Sequence, residues 1–209
     1  MGQRARSARK GRPHGADPFG RDAQDRTRIA QLAAKYIAEH GLGDWSLAKR
    51  KAARQLGLSD RAALPGDDEI ETALADYHAL FGGAAHAAAL RAQREEALLW
   101  LRRLAPFAPR LSGGVAAGWA TVHSDIRLDV TADDPKSVEL TLINQGVDYR
   151  ALPARAPAAP AELFIETPRG GVRLVVRSPV EDRQRPHAAE PRLDAAAVEA
   201  LLLETGTRD

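Results

Sequence analysis

The chain has 209 residues, of which 44% are hydrophobic, 28% charged and 5% aromatic, and its formal net charge is +2. These fractions are typical of a globular protein, and the length allows one large domain or two modest ones. The absence of cysteine excludes disulfides, thiolate nucleophiles and cysteine-ligated zinc. No apolar run approaches the roughly 20 residues of a membrane-spanning helix, and no apolar leader opens the sequence, so we expect a cytoplasmic protein without a membrane partner.

Residues 1 to 24 form a basic arm at the N-terminus. Six lysines and arginines stand against Asp17 and Asp22 in this stretch, whereas the rest of the chain is slightly acidic. We predict that the arm is disordered. A solvated tail is the simpler interpretation, and a contact with nucleic acid phosphates is the alternative.

Residues 25 to 105 are predicted to form a helical domain, because their apolar side chains recur at helical spacing. The segment from Lys51 to Ser59 resembles the first helix and turn of a helix-turn-helix, since small alanines allow close packing and glycine permits the turn. The next helix, over 67–81, is acidic and lacks lysine and arginine, so DNA phosphates would repel it. Its apolar stripe instead favours a packed bundle. The stripe consists of Ile70, Leu74, Tyr77 and Phe81.

Residues 106 to 180 are predicted to form a small mixed β-sheet domain after Pro106 and Pro109. A helix over 135–145 is indicated by Asp134 as its N-cap and by Gly146 beyond its end. Two alternating runs, 163–167 and 172–177, predict a hairpin. Residues 181 to 209 are predicted to be an irregular segment followed by a C-terminal helix that Asp194 begins. The predicted fold class is therefore α+β.

The segment 113–128, with the sequence GGVAAGWATVHSDIRL, carries the most specific pattern in the chain. It resembles the signature of minimal nucleotidyltransferases of the DNA-polymerase-β-like superfamily, in which a glycine pair is followed by Ser-Asp-Ile-Asp-Leu. The matching positions are Gly113, Gly114, Gly118, Ala120, Ser124, Asp125, Ile126 and Leu128. The resemblance covers roughly residues 107 to 180 and implies a nucleotidyltransferase-like sheet.

The resemblance also implies a set of site residues. Gly113, Gly114 and Ser124 would bind phosphate, because glycine lets backbone amides approach it closely. Asp125 would be a catalytic residue and a metal ligand. In an active member of the superfamily, carboxylates hold magnesium for an in-line phosphoryl displacement, so magnesium is the implied cofactor.

Two arginines depart from the superfamily pattern. Arg127 stands in the place of the second carboxylate, and Arg173, in a Val-Arg-Leu-Val run, stands in the place of the third. Both would bind phosphate rather than recruit a divalent metal. Asp129 and Glu166 are the acidic residues that could substitute as catalytic carboxylates. The sequence thus predicts a divergent superfamily member with degenerate metal-binding carboxylates.

Several functions are compatible with this pattern. The first is a catalytically degenerate protein that binds nucleotide, RNA or a protein partner. The second is an active metal-dependent nucleotidyltransferase, and the third is a DNA-binding regulator that uses the helical domain and the basic arm. A purely structural ion-pair network of Asp125, Arg127 and Arg173 is the simplest interpretation of the charged residues.

Overall fold

The computed structural model describes residues 18–40, 42, 44–59, 62–154, 159–184 and 191–206. Helices in this part of the chain are α1 (Pro18–His40), α2 (Trp45–Gln55), α3 (Asp67–Phe81), α4 (Gly83–Arg103), α5 (Gly113–Ala117), α6 (Pro135–Asn144), α7 (Pro179–Gln184) and α8 (Ala195–Gly206), with a 3-10 turn at Ala105–Phe107. The strands are β1 (Arg110–Ser112), β2 (Ile126–Thr131), β3 (Arg150–Leu152), β4 (Ala161–Thr167) and β5 (Gly170–Arg177). The predicted combination of helices with a small mixed sheet is confirmed.

Local signals set the bounds of several helices. At the start of α6 the Asp134 carboxylate accepts a hydrogen bond from the backbone N–H of Lys136 at 3.0 Å. The helix ends before Gly146, whose φ of +65° suits a residue without a Cβ. Asp194 caps α8 in the same way, by accepting from the Ala197 N–H at 2.9 Å. That hydrogen bond lowers the pKa of Asp194 because it stabilises the charged form.

The helices α1, α2 and α3 pack together into a small bundle. Its fully buried side chains include Ile29, Ala33, Ala48, Ala52, Ile70 and Leu74. At the end of the predicted apolar stripe, however, Phe81 is exposed. Lys49 of α2 is buried and donates to Asp67 at 2.6 Å.

The N-terminal part differs from the predicted organisation at one boundary. Helix α1 begins at Pro18, so residues 18–24, which the sequence assigned to the basic arm, belong to this helix. Residues 1–17 of the arm lie outside the described residues. None of the described helices is long and apolar enough to cross a membrane.

The sheet has the strand order β1-β2-β5-β4-β3. Strands β2 and β5 run parallel, and the other neighbouring pairs are antiparallel. One face is apolar and packs with side chains of α4, α6 and α8. The residues that the sheet contributes to this core include Leu111, Ile126, Leu128, Leu163, Ile165, Val172 and Leu174.

Because side chains alternate along a strand, the other face of the sheet carries the polar residues between these apolar ones. It holds Arg127 of β2, Arg173 of β5, and Glu162 and Phe164 of β4. The hairpin of β4 and β5 forms as predicted. Residues 181–184 were predicted to be irregular but lie in the short helix α7, in which Ser178 caps the first turn by accepting from the Glu181 N–H.

Candidate functional site

The predicted glycine pair lies where β1 turns into α5. Gly113 has a φ of +67°, a conformation that favours glycine, and a Cβ there would lie 3.8 Å from the Arg127 side chain. Gly114 has a different role: a Cβ on it would lie 2.7 Å from the Trp119 ring. Glycine is therefore needed at position 114 because the Trp119 ring packs against it. Gly113 lies beside Arg127.

The loop that precedes β2 is fixed from within. The Ser124 hydroxyl accepts a hydrogen bond from the Thr121 N–H at 3.0 Å. Buried Gln93 of α4 donates from Nε2 to the carbonyl of Thr121 at 2.9 Å and to that of Ser124 at 3.2 Å. The loop thus presents its last residue, Asp125, in a set position, and the predicted phosphate ligand Ser124 uses its hydroxyl to hold the loop.

Asp125 is joined to Glu162 through Arg173. Nη2 of Arg173 donates to Oδ2 of Asp125 at 2.8 Å, and Nη1 donates to Oε2 of Glu162 at 3.0 Å. All three side chains are only partly exposed, at 33% for Asp125, 26% for Arg173 and 23% for Glu162. Burial acts to lower the pKa of Arg173, but the two hydrogen bonds and the two negative charges together raise it above its ordinary value. Arg173 is therefore a permanently charged bridge between two carboxylates.

Arg127 lies beside Arg173, since the two residues are in register on the parallel strands β2 and β5. Its Nε is buried without a hydrogen-bond partner, and it forms no ion pair with any other residue in the described part of the chain. Like charges at neighbouring positions of a sheet repel each other. The carboxylates that bind Arg173 leave Arg127 as an uncompensated cation.

The two predicted substitute carboxylates lie outside this arrangement. Asp129 is 2% exposed and pairs with Arg177 and Arg192, each with an N–O distance of 3.5 Å, so it belongs to a buried ion-pair cluster at the far end of β2. Glu166 is in register with Gly171 and is exposed, and it does not line the cleft described below. Neither residue joins Asp125.

Glu162 is a site residue that the sequence analysis missed. The predicted strand began at residue 163 and so left Glu162 out. A signal was nevertheless present, because the hairpin turn fixes the pairing of Phe164 with Arg173, and Glu162 then lies diagonally across from that arginine on the same face.

These residues line a cleft of about 770 Å³ between the sheet and the helical bundle. The sheet side contributes Gly113, Gly114, Trp119, Thr121, His123, Ser124, Asp125, Arg127, Glu162 and Arg173. The bundle side contributes Ile37, Leu42, Asp44, Trp45, Ser46, Asp67 and Glu71. The rings of Trp45 and Trp119 meet with their centroids 5.3 Å apart at an angle of 57°. The cleft therefore combines an aromatic surface, an acidic wall and an arginine, Arg127, that forms no ion pair with a described residue.

The residues present do not fit the magnesium centre that the resemblance implies. Such a centre needs free carboxylate oxygens that converge on the ion. Here one oxygen of Asp125 and one of Glu162 bind the Arg173 guanidinium, and Arg127 adds a second positive charge beside them. Within the described residues no group of three or more histidine, aspartate or glutamate side chains is arranged to hold a metal.

Gly171 gives the Asp125 side chain its room. A Cβ on Gly171 would lie 2.6 Å from Oδ1 of Asp125 and still closer to the Phe164 ring. Gly171→Ala is therefore expected to destabilise the fold by about 1 to 3 kcal/mol, as overpacking does, which urea denaturation would measure. In a Phe164→Leu background the same substitution should cost less because the ring clash is relieved. An equal cost in both backgrounds would contradict this account of Gly171.

Comparison of the chain with protein-family models, with curated proteins and with solved structures gives no match. The likeness of segment 113–128 to the nucleotidyltransferase signature stays a prediction, and any conclusion about function depends on the chemistry of the cleft itself.

Proposed function

We propose that this chain binds a nucleotide, or a similarly small phosphate ester, in the cleft without transferring it. The observation that carries the proposal is that Arg127, partly buried in the cleft, forms no ion pair with a described residue. A partly buried cation without a counter-charge is costly, and an anionic ligand would offset that cost. The planar guanidinium binds two phosphate oxygens at once, which makes arginine well suited to this ligand.

The rest of the cleft supports a mononucleotide rather than a nucleic acid strand. Its volume of about 770 Å³ lies in the range of small-molecule sites. Trp45 and Trp119 offer aromatic surface on which a base can pack. The carboxylates of the bundle wall can accept hydrogen bonds from ribose hydroxyls or exocyclic amines. These are Asp44, Asp67 and Glu71.

The alternative of an active metal-dependent nucleotidyltransferase is weaker on the same geometry. Transfer would require the Asp125 carboxylate to coordinate a metal, and Arg173 holds one of its oxygens at 2.8 Å. DNA binding through the helical domain is weaker as well. Of the α2 cations, Lys49 is bound to Asp67, and the ammonium of Lys51 lies 4.5 Å from the centre of the Tyr36 ring.

Calorimetry across a series of ligands tests the proposal. ATP, ADP, AMP and adenosine would each be titrated into the full chain in the presence of EDTA. The phosphate-bearing ligands are expected to bind at least about tenfold more tightly than adenosine, because one charge-assisted contact is worth more than 1.4 kcal/mol. Equal affinity for adenosine and AMP, or no binding of any nucleotide, would contradict it.

A parallel incubation distinguishes binding from transfer. Labelled nucleoside triphosphates and magnesium would be mixed with the full chain and candidate acceptors. We expect the label to remain in the nucleotide. A labelled product that Asp125→Ala abolishes would instead support the active enzyme.

A further inference from the structure

Two histidines stack where α3 meets α4. The ring of His78, near the end of α3, is parallel to that of His86 at the start of α4, with 3.8 Å between their centroids and 5° between their planes. Nδ1 and Nε2 of His78 are both buried, and neither has a hydrogen-bond partner among the described residues. The arrangement therefore suits a neutral His78 ring, because the second N–H of a charged ring would find no acceptor.

The stack spans a glycine joint. Gly83, which begins α4, has a φ of +56°, a conformation that favours glycine. A Cβ on Gly82 would lie 2.6 Å from the carbonyl oxygen of His78 and 3.0 Å from Cβ of His86. Residues at the ends of elements absorb the backbone rotation of a hinge, so this joint is a place where the bundle can turn relative to α4.

The stack also connects the two walls of the cleft. His78 belongs to α3, which contributes to the bundle wall. His86 belongs to α4, which packs against the sheet, and its Nε2 lies 3.2 Å from the carbonyl oxygen of Gly118. The next residue, Trp119, lines the sheet wall. A change at the stack would therefore move one wall relative to the other.

The titratable groups packed around the stack do not supply it with a counter-charge. On α3, Tyr77 meets the His78 ring edge-on, with centroids 5.8 Å apart, and its hydroxyl donates to Glu39 of α1 at 2.8 Å. On α4, Arg94 donates from Nε to a backbone carbonyl of α5 at 3.2 Å. Helix α5 itself contains only glycine, valine and alanine. The charged group that acts on His78 is thus His86, which would repel a proton.

We propose that the His78–His86 stack is a pH-sensitive catch, which holds the bundle against the sheet domain while His78 is neutral and releases it when His78 takes up a proton. A protonated His78 would place a buried charge and a second unpaired N–H against another histidine, which is unfavourable. Rotation at the Gly82–Gly83 joint exposes the ring to water and removes that cost. Acid therefore opens the cleft.

The direction of the pH dependence follows from the environment of His78. Burial, and after it the charge of His86, lowers the pKa of His78 below the ordinary histidine value of 6.5. The stacked form thus binds fewer protons than the open form, so it is favoured above that value and loses stability as the pH falls below it. The inference goes beyond nucleotide binding and does not depend on it, because it concerns the position of the bundle in the free protein.

Spin labels on two introduced cysteines would measure that position, since the chain has no cysteine of its own. Gln31 of α1 and Asn144 of α6 are exposed and can carry the labels. The distance between the labels in Gln31→Cys/Asn144→Cys would be recorded at about pH 7.5 and about pH 5, on either side of the ordinary histidine pKa. We expect it to change by more than about 2 Å in acid, as in a domain rearrangement, and to return at neutral pH.

Two histidine variants of the labelled chain separate the stack from other effects of acid. His78→Phe keeps a ring in the stack but cannot take up a proton, so its label distance should be the same at both pH values. His40→Phe is the matched control, because His40 is an exposed histidine of α1 whose ring stacks on Tyr36 within the bundle. This variant should respond to acid as the labelled parent does.

Three results would overturn the proposal. The first is a label distance in the parent that does not change with pH, and the second is folded His78→Phe that responds to acid like the parent. The third is a loss of helical circular dichroism together with the distance change, since the chain would then unfold rather than open at the joint. If His78→Phe does not fold, His78→Gln also removes the titrating group and must abolish the response. A failure of nucleotides to bind would bear on Arg127 and leave these outcomes unchanged.

Discussion

Replacement of Asp129 by alanine is expected to lower the free energy of unfolding by about 3 kcal/mol, near the lower end of the cost of breaking a buried ion pair. Asp129 is 2% exposed and lies 3.5 Å from Nε of both Arg177 and Arg192. The two arginines are 16% and 27% exposed, and Asp182 also binds Arg192 at 2.6 Å, so water and Asp182 retain part of the compensation. The cost should therefore be large without reaching the upper end of that range.

Urea denaturation of the full chain would measure this loss, with Asp133→Ala as the matched control. Asp133 is an exposed acid in the turn after β2, and its substitution should change stability by less than about 0.5 kcal/mol. Nucleotide affinity under native conditions should be the same in Asp129→Ala and the wild type, because the cluster lies outside the cleft. A stable Asp129→Ala variant that had lost nucleotide binding would contradict this, and would mean that Asp129 belongs to the functional site.

The contrast between Asp125 and Asp129 shows how far periodicity alone can go. Alternation along β2 correctly separates its charged face from Ile126 and Leu128. It cannot tell that one end of this face opens on a cleft while Asp129 is covered at the other end. Arg192, which lies far along the chain from β2, pairs with Asp129 at that end. A pattern within β2 cannot predict such a long-range contact.

Short-range signals were the reliable part of the prediction. The bounds of α3 and α6, and the hairpin of β4 and β5, follow from caps, turn residues and apolar spacing within a few positions of each element. Exposed Phe81 marks the limit of this approach, because helical spacing places a side chain on a face but does not supply a neighbour to bury it.

The cleft itself required the tertiary structure. Its aromatic surface joins Trp45 of the bundle to Trp119 of the sheet domain, and its acidic wall comes from helices that the sequence assigned to a separate domain. The register of the β4–β5 hairpin places Glu162 in the site. The glycine and aspartate pattern located the right segment, whereas the partners of Asp125 depended on which strands became neighbours.

Replacement of Arg127 by alanine is expected to weaken nucleotide binding by about 10- to 100-fold, as the loss of one or two charge-assisted hydrogen bonds does. Arg127 is the cleft arginine that forms no ion pair with a described residue, and it lies in register with Arg173, which binds two carboxylates. Since the wild-type arginine stands unpaired beside a like charge, the variant should fold at least as stably as the wild type. The loss would then appear in affinity alone.

Calorimetry with ATP in EDTA would measure the loss, with Arg50→Ala as the control. Arg50 is exposed on α2, so its removal changes the net charge by the same amount without altering the cleft. Arg127→Lys should fall between the wild type and Arg127→Ala, because lysine keeps the charge but cannot bind two phosphate oxygens in a planar fork. If Arg127→Ala and Arg50→Ala weakened binding equally, the effect would be one of overall charge, and the phosphate would have to lie elsewhere. If only the substitutions at position 127 weakened binding, the phosphate of the nucleotide would lie beside Arg127 and Gly113.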